Sequence, residues 1–218
     1  MKEKPTMGDL LEQTAALHRH LCPRQVLGVR MGMLAGELLG VDLPQSDKRV
    51  FAFMETDGCT CDGVAIASGA RVGRRTMRMM DFGKVAATFV DTFTGAAVRI
   101  WPHPASRLRA IAAAPDAPDR WHAQLLGYQR LSAEDILVAA PVDLSVDLAA
   151  IISRNGLRAA CAACGEEISN GREVMREGLE LCRACAGEAY YMPAPAHPIG
   201  RVLTLGQNAA ITEAVTPA

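Results

Sequence analysis

Residues 18–40 read HRHLCPRQVLGVRMGMLAGELLG, a short run of histidine and cysteine followed at once by a long apolar segment. Proline is favoured in the first turn of a helix, where its missing N–H does no harm. The segment therefore predicts a helix from Pro23 to Leu39. Glycines recur on it every four residues and so lie on one stripe, which indicates close backbone packing against a neighbouring element. These glycines are Gly28, Gly32 and Gly36, with Gly40 just past the helix.

The histidines and the thiol before this helix form the first candidate site. Residues two apart on a helix point away from each other, so His18, His20 and Cys22 converge only if they lie in a loop. The helix N-terminus stabilises a thiolate, which favours Cys22 as a metal ligand or nucleophile. The alternative is structural, with the cysteine a small buried apolar residue and the histidines on the surface.

A second helix start carries two further thiols. Residues 49–56 are apolar and partly aromatic, which predicts a strand. Residues 57–63 (DGCTCDG) form a turn and helix entry with Cys59 and Cys61, ahead of a short apolar helix at 64–68. Two helix starts, each with a thiol, could then face one another across a cleft.

The remaining pattern predicts an α+β fold, with a mixed or antiparallel sheet and packed helices. Helices are expected at 9–17, with Asp9 as the cap, and at 105–114. A strand is expected at 76–80, a hairpin at 84–91 and 97–101 around the turn 92–95, and one or two strands within 136–147. Residues 115–118 end the helix at 105–114, and residues 132–135 resemble an N-terminal cap that opens a short turn.

The four C-terminal cysteines form two C-x2-C pairs, Cys161/Cys164 and Cys182/Cys185, separated by seventeen residues. A two-residue spacer lets both thiolates of a pair bind one ion, and two such pairs complete a tetrahedral zinc site. Local disulfides and a thioredoxin-type dithiol are the alternatives. A unit this small buries little core, so zinc would hold its fold, expected to be a zinc ribbon or treble clef.

Composition limits the remaining classes of function. The chain has 218 residues, 50% hydrophobic, 22% charged and 5% aromatic, and a formal net charge of -1. These values predict a globular protein without nucleic acid as a partner. No segment has the length and apolarity of a membrane span or of an export signal, so we expect a cytoplasmic protein. We predict a core domain at 1–156, a zinc module at 157–192 and an extended tail at 193–218.

A cluster of arginines follows the second helix start. Arg71, Arg74 and Arg75 could bind a small anion such as a phosphate. The alternative is a solvated charged surface.

Three motifs, in this order, resemble those of the FmdE family of formylmethanofuran dehydrogenase proteins. HRHLCP at 18–23 resembles the family's H-G-H-x-C-P-G, and ETDGCTCD at 55–62 resembles its E-x-D-x-C-x-x-D. DFGK at 81–84 resembles its D-Y-G-K. The resemblance covers roughly residues 9–104, and family members also carry C-terminal zinc modules.

The resemblance implies a dimeric α+β core with a metal or reactive-thiol site in a cleft. It implies ligands at His18, His20, Cys22 and Cys59, with Asp62 and Lys84 as neighbours. The chain departs from the family at Arg19 and Arg24, where glycine is usual, and at Ala70, where a further family cysteine is absent. Either Cys61 replaces that cysteine or this chain has lost the ligand.

Three functions follow as hypotheses. The first is an accessory protein or small metalloenzyme of molybdenum/tungsten or one-carbon metabolism. Its cleft would hold zinc, iron or nickel, Cys22, Cys59 and Lys84 would take catalytic roles, and a small anion would bind nearby. The second is a metal-free relay in which the thiols pass sulfur or electrons. The third is an adaptor whose zinc module docks a metalloenzyme partner.

Overall fold

The computed structural model describes residues 4–192, and the described chain divides between Leu148 and Ala149 into two compact units. The predicted division at residue 156 stays a prediction, and the predicted tail lies outside the described residues. No described helix has the length and apolarity needed to cross a membrane.

The first unit places helices around one five-stranded sheet. Its helices are α1 (Met7–His18), α2 (Pro23–Leu39), α3 (Cys59–Ser68), α4 (Ser106–Ala112), α5 (Arg120–Arg130) and α6 (Ala133–Ile136). Its strands are β1 (Val50–Met54), β2 (Met77–Met79), β3 (Ala87–Asp91), β4 (Ala97–Pro102) and β5 (Leu137–Pro141). The sheet order is β2-β1-β3-β4-β5, with β1 and β2 parallel and the other pairs antiparallel. The predicted α+β class with a mixed sheet is confirmed.

The core lies between this sheet and helices α2 and α3. In β1, Ala52 opposite Phe89 and Met54 opposite Ala87 face the helices and belong to the main apolar cluster. Side chains alternate along a strand, so every second residue of β1 and β3 enters this core. The sheet thereby fixes the position of α2 and α3, the two helices whose first turns carry cysteines.

Three local differences from the sequence-based expectations have clear causes. Helix α1 begins after Thr6, whose side chain caps it together with Asp9, so Asp9 is the third helical residue rather than the cap. Helix α3 begins at Cys59, which puts Cys59 and Cys61 inside its first turn. Helix α5 lies where the sequence predicts no helix. It is capped by Asp119, and its apolar residues Trp121, Leu125 and Tyr128 follow helical spacing, a signal that was missed after the proline-containing stretch 115–118.

The second unit contains helix α7 (Leu148–Ser153, which spans the boundary) and two small hairpins. The hairpins are β6 (Arg158–Ala160) with β7 (Glu167–Ser169), and β8 (Val174–Arg176) with β9 (Leu179–Leu181). The second hairpin turns at Glu177 and Gly178, and both residues have positive φ. A short helical turn follows at Ala184–Glu188.

Candidate metal centre and adjoining cavity

The first helix start is built around Cys22. Cys22 is the N-cap of α2 in extended backbone conformation, and Pro23 is the first helical residue. The backbone N–H of Cys22 donates to the Gln25 side-chain oxygen at 2.6 Å, which locks the entry into the helix. The Cys22 thiol is therefore held at a helix N-terminus, where the helix dipole favours negative charge.

The second helix start is brought beside the first by close helix packing. A Cβ added at Gly28 would lie 2.3 Å from the Thr60 carbonyl oxygen, and one added at Gly63 would lie 2.3 Å from the Gln25 carbonyl oxygen. Only glycine permits these contacts. A Cβ added at Gly32 would likewise contact Ala67, one turn further along both helices. Helices α2 and α3 therefore run side by side in the same direction, and their first turns are neighbours.

His18 joins the two helix starts at the end of α1. Its Nε2 lies 3.6 Å from the Cys59 Sγ, and its Nδ1 lies 2.7 Å from the Asp62 Oδ2. A carboxylate on Nδ1 fixes the ring so that Nε2 presents its lone pair to the thiol or to a metal. Asp62, which the resemblance implies as a neighbour of the site, thus contacts His18.

The two thiols Cys22 and Cys59 face one another. Burial, followed by the hydrogen bond with Cys22, raises the pKa of the Cys59 thiol. A thiol with a raised pKa is a poor nucleophile at neutral pH, whereas a bound metal would deprotonate it. Cys22, Cys59 and Lys84 all line one cavity.

Cys61 has a different environment. Its thiol donates to the Thr56 carbonyl oxygen at 3.1 Å and is not part of the cavity wall. Burial, with the nearby charges of Asp62 and Asp57, raises its pKa to about 11. These contacts give Cys61 a structural place in the first turn of α3.

The other predicted ligands are more peripheral. His20 is exposed, and its ring centroid lies 4.7 Å from that of His18. Arg71, Arg74 and Arg75 do not line the cavity that contains Cys22, and Arg74 donates to the Ser46 carbonyl oxygen. The described part of the chain has one group of three or more His, Cys, Asp or Glu whose ligand atoms all lie within 4.8 Å of one another, and it is the C-terminal one.

That C-terminal group consists of all four predicted zinc ligands, Cys161, Cys164, Cys182 and Cys185. The Sγ atoms of Cys164 and Cys182 are 4.0 Å apart. A tetrahedral zinc with bonds of about 2.3 Å places its sulfurs roughly 3.8 Å apart, so the set fits zinc. The backbone N–H of Cys182 donates to the Cys161 Sγ at 3.3 Å, which stabilises a thiolate.

The cavity beside Cys22 and Cys59 has a volume of about 850 Å³. Arg24, Lys84, Arg99 and Arg107 line it, and none of its described lining residues is acidic. Helix α5 supplies one wall through Trp121, Gln124 and Tyr128, which lie on one face of the helix.

Sequence reasoning missed this wall and also the cavity position of His103. The sequence offered one local signal for the start of α5, the pair Pro118-Asp119, because aspartate is a favoured N-cap residue. In the structure Asp119 caps α5 by accepting a hydrogen bond from the His122 N–H at 2.9 Å. No local pattern showed that α5 and the residues after β4 would enclose the thiols.

Comparison with protein families identifies two regions. Residues 17–141 match the FmdE family (molybdenum formylmethanofuran dehydrogenase operon), and residues 155–191 match the prokaryotic dksA/traR C4-type zinc finger. The predicted family resemblance and the predicted zinc module are confirmed.

Two individual proteins are also similar. A probable S-adenosyl-L-methionine-binding protein of Archaeoglobus fulgidus is 35% identical over 95 residues, which is 42% of this chain and 26% of that protein. The aligned part thus spans about a quarter of the curated relative.

The crystal structure of a tungsten formylmethanofuran dehydrogenase FmdE-like protein from Syntrophus aciditrophicus shares the fold. Its TM-score is 0.53 at 21% identity, and the match covers 88% of this chain and 100% of that one. Since the family match spans more than half of the chain, the chain belongs to the FmdE family and carries a C4-type zinc finger.

Proposed function

We propose that this chain is an accessory protein or small metalloenzyme of molybdenum/tungsten or one-carbon metabolism, whose cleft holds a transition metal on His18, Cys22 and Cys59. The observation that carries the proposal is the contact of His18 Nε2 with Cys59 Sγ at 3.6 Å while Nδ1 is held by Asp62. The metabolic context is carried over from the family.

The donor set fits a borderline-soft divalent ion. Neutral imidazole and thiolate ligands suit zinc, iron and nickel, and metal-binding histidines commonly donate their other N–H to a carboxylate. Asp62 supplies that carboxylate, and both thiols sit at helix N-termini, Cys22 as the N-cap of α2 and Cys59 in the first turn of α3. When bound, such a metal supplies a Lewis acid or, for iron and nickel, redox chemistry.

The residues around the metal would have distinct roles. Cys22 and Cys59 would bind it, Asp62 would orient His18, and the exposed His20 would be a further ligand reached by a side-chain rotation. Lys84 would attract an anionic group of a substrate toward the two thiols. The 850 Å³ cavity leaves room for that substrate next to the metal.

Elemental analysis by mass spectrometry tests the proposal. Wild type should contain two metals per chain, one in the zinc finger and one in the cleft. Cys22→Ser and Cys59→Ser should each retain one metal. Cys61→Ser is the matched control, because its thiol bonds to Thr56 and lies outside the cavity wall, and it should retain two. One metal in wild type, unchanged in Cys22→Ser, would disprove the cleft site.

The facing thiols also favour a second candidate, a metal-free relay that cycles between dithiol and disulfide. In such a protein the cleft would purify without metal, and Cys22 would react rapidly with an alkylating reagent while the zinc finger stays loaded. Slow alkylation of Cys22 that accelerates only after chelation of the cleft metal would favour the first candidate.

The family resemblance extends the proposal to a cytoplasmic homodimer that serves a metalloenzyme partner. Light scattering after gel filtration should give twice the chain mass of 23.3 kDa. A monomer at micromolar concentration would remove the dimer from the proposal. If a His18/Cys22/Cys59 triple mutant bound the metalloenzyme normally, the zinc finger alone would act as the adaptor.

A further inference from the structure

The cavity beside the thiol pair carries an excess of positive charge that a metal site does not require. Four cationic side chains line it, and no described lining residue is acidic. Glu55 neutralises one of them, Arg99, through two hydrogen bonds of 2.6 and 2.7 Å. The other three, Arg24, Lys84 and Arg107, are exposed and form no ion pair with any described carboxylate.

This charge is local, because the whole chain has a formal net charge of -1. Cations that converge on one concave surface without acidic partners raise the local potential and concentrate anions. Arg24 follows Cys22 by two residues, and Lys84 and Cys59 line the same cavity, so the positive region adjoins the thiols.

The same cavity exposes flat apolar surface. Both tryptophans of the chain, Trp101 and Trp121, line it together with Tyr128 and Leu108. Trp121 is 44% exposed and Leu108 is 72% exposed. The Arg99 guanidinium lies 4.8 Å from the Trp101 ring centroid. Two tryptophans in one concave site favour a planar ligand, because aromatic faces stack and bury large apolar areas.

His103 adds a donor with a defined orientation. Its Nδ1 accepts from the Ala105 N–H at 3.0 Å, so in the neutral ring Nε2 carries the proton. The Nε2–H can donate to an anionic or carbonyl oxygen in the cavity that His103 lines.

We propose that this cavity binds a planar aromatic ring that carries phosphate or carboxylate groups, with the ring against the two tryptophans and the anionic groups at Arg24, Lys84 and Arg107. The proposal rests on the function proposed above, because it names the class of ligand for that site. A volume of about 850 Å³ accommodates a molecule of at least mononucleotide size.

Isothermal titration calorimetry on the full, metal-loaded chain tests the ligand class. AMP is the probe for phosphate and naphthalene-2,6-dicarboxylate is the probe for carboxylate. Adenosine, which lacks charge, and inorganic phosphate, which lacks a ring, are the controls. We expect one of the two ring anions to bind with micromolar affinity and at least tenfold more tightly than both controls. The better probe identifies the anionic group.

A matched pair of variants tests the location. Lys84→Gln with Arg107→Gln removes two cavity cations and should weaken binding at least tenfold. Lys48→Gln with Arg120→Gln removes two exposed cations outside the cavity wall and should change it less than twofold. Tryptophan fluorescence should change on ligand binding, because both tryptophans line the cavity.

Absence of binding of both ring anions at 1 mM, or an affinity of the better ring anion less than tenfold above those of adenosine and inorganic phosphate, would overturn the ligand class. Equal affinity of the two double variants for that ring anion would overturn the location. Metal content is a separate readout, because neither double variant alters His18, Cys22 or Cys59. Failure of the metal site would appear in the elemental analysis of Cys22→Ser, and failure of the ligand class would appear in the calorimetry.

Discussion

At the scale of single residues, Asp91 shows how one buried carboxylate stabilises the β3–β4 turn. It accepts from Arg49 Nε at 2.9 Å and Nη2 at 2.7 Å, from the Phe93 N–H at 3.0 Å and from the Thr94 hydroxyl at 3.2 Å. The Arg49 guanidinium, foremost among these donors, lowers the pKa of Asp91 to about 2. Its side chain is 1% exposed, so these bonds are shielded from water.

We predict that Asp91→Asn destabilises the first unit by about 3 kcal/mol, because it leaves a partly buried arginine without its charge partner. Urea unfolding followed by tryptophan fluorescence measures this, since both tryptophans lie in that unit. Asp116→Asn is the control, because Asp116 pairs with Arg130 at the exposed surface. Asp116→Asn should lower the free energy of unfolding much less than Asp91→Asn does. Equal losses in the two variants would contradict the role of burial.

The same carboxylate predicts a pH dependence. Its folded pKa, about 2, lies below the ordinary value of 3.8. The charged form therefore contributes stability above pH 4, roughly 2 kcal/mol by linkage, and this contribution is lost as the pH falls from 4 through 2. The stability difference between wild type and Asp91→Asn should shrink over that window. A difference that stays constant from pH 7 to pH 2.5 would exclude a titrating Asp91.

At the scale of elements, the α2–α3 contact connects the sequence to the site. The four-residue glycine spacing predicted close packing, and the bounds of α2 agree with that prediction. The spacing does not predict which helix is the partner. Gly28 packs against Thr60 and Gly63 packs against Gln25, and each contact joins residues more than thirty positions apart. The convergence of the two helix starts is thus a tertiary property, which the thiols at both helix entries and the family resemblance could suggest but the glycine spacing could not.

We predict that Gly28→Ala separates the two helix starts and costs at least about 2 kcal/mol, since its methyl group would meet the Thr60 carbonyl at 2.3 Å. The cleft metal should be lost while the finger keeps its zinc, giving one metal per chain. Gly73→Ala is the control, because a Cβ there has no described atom within 4 Å. Retention of two metals in Gly28→Ala would show that the contact does not position the thiols.

The cavity wall shows where local patterns fail. Helix α5 packs on α4 through Gly127, whose added Cβ would lie 2.0 Å from the Ala110 carbonyl oxygen. Glycine lowers intrinsic helix propensity, and two prolines at 115 and 118 precede the helix, so the helical spacing of Trp121, Leu125 and Tyr128 was not recognised in the sequence. The sequence consequently indicated no cavity role for Trp121 or Tyr128. The clustering of the four C-terminal cysteines, by contrast, could be predicted, because the two C-x2-C pairs lie within one short segment.

At the scale of the whole molecule, the chain combines a unit with an apolar core and a unit organised around four cysteines. The main apolar cluster of the described residues lies between Leu10 and Leu137, entirely within the first unit. The second unit has few buried residues, among them Cys161 and Ile168. A unit with so little core depends on its metal for stability.

We therefore predict that Cys182→Ser abolishes zinc binding and ordered structure in the second unit without unfolding the first. The midpoint of the tryptophan-detected transition in urea should stay within error of wild type. Hydrogen exchange should accelerate at residues 158–181 and remain unchanged in β1 and β3. Loss of the tryptophan-detected transition would show that the first unit needs the finger to fold.

Zinc binding by the second unit should itself depend on pH. Backbone N–H groups, that of Cys182 first, lower the pKa of Cys161 to about 6, whereas hydrogen bonds with the neighbouring thiols raise that of Cys185 to about 12. The metal-free cluster is therefore protonated in part at neutral pH, and zinc must displace those protons. For each proton released on binding, zinc affinity changes about tenfold per pH unit. Release of one proton alone should therefore lower the affinity about a hundredfold from pH 8 to pH 6. Competition with a chromophoric chelator of known pH dependence, performed on Cys22→Ser so that only the finger binds, measures this. A pH-independent affinity would mean that the four thiols are ionised before the metal arrives, in conflict with the raised pKa of Cys185.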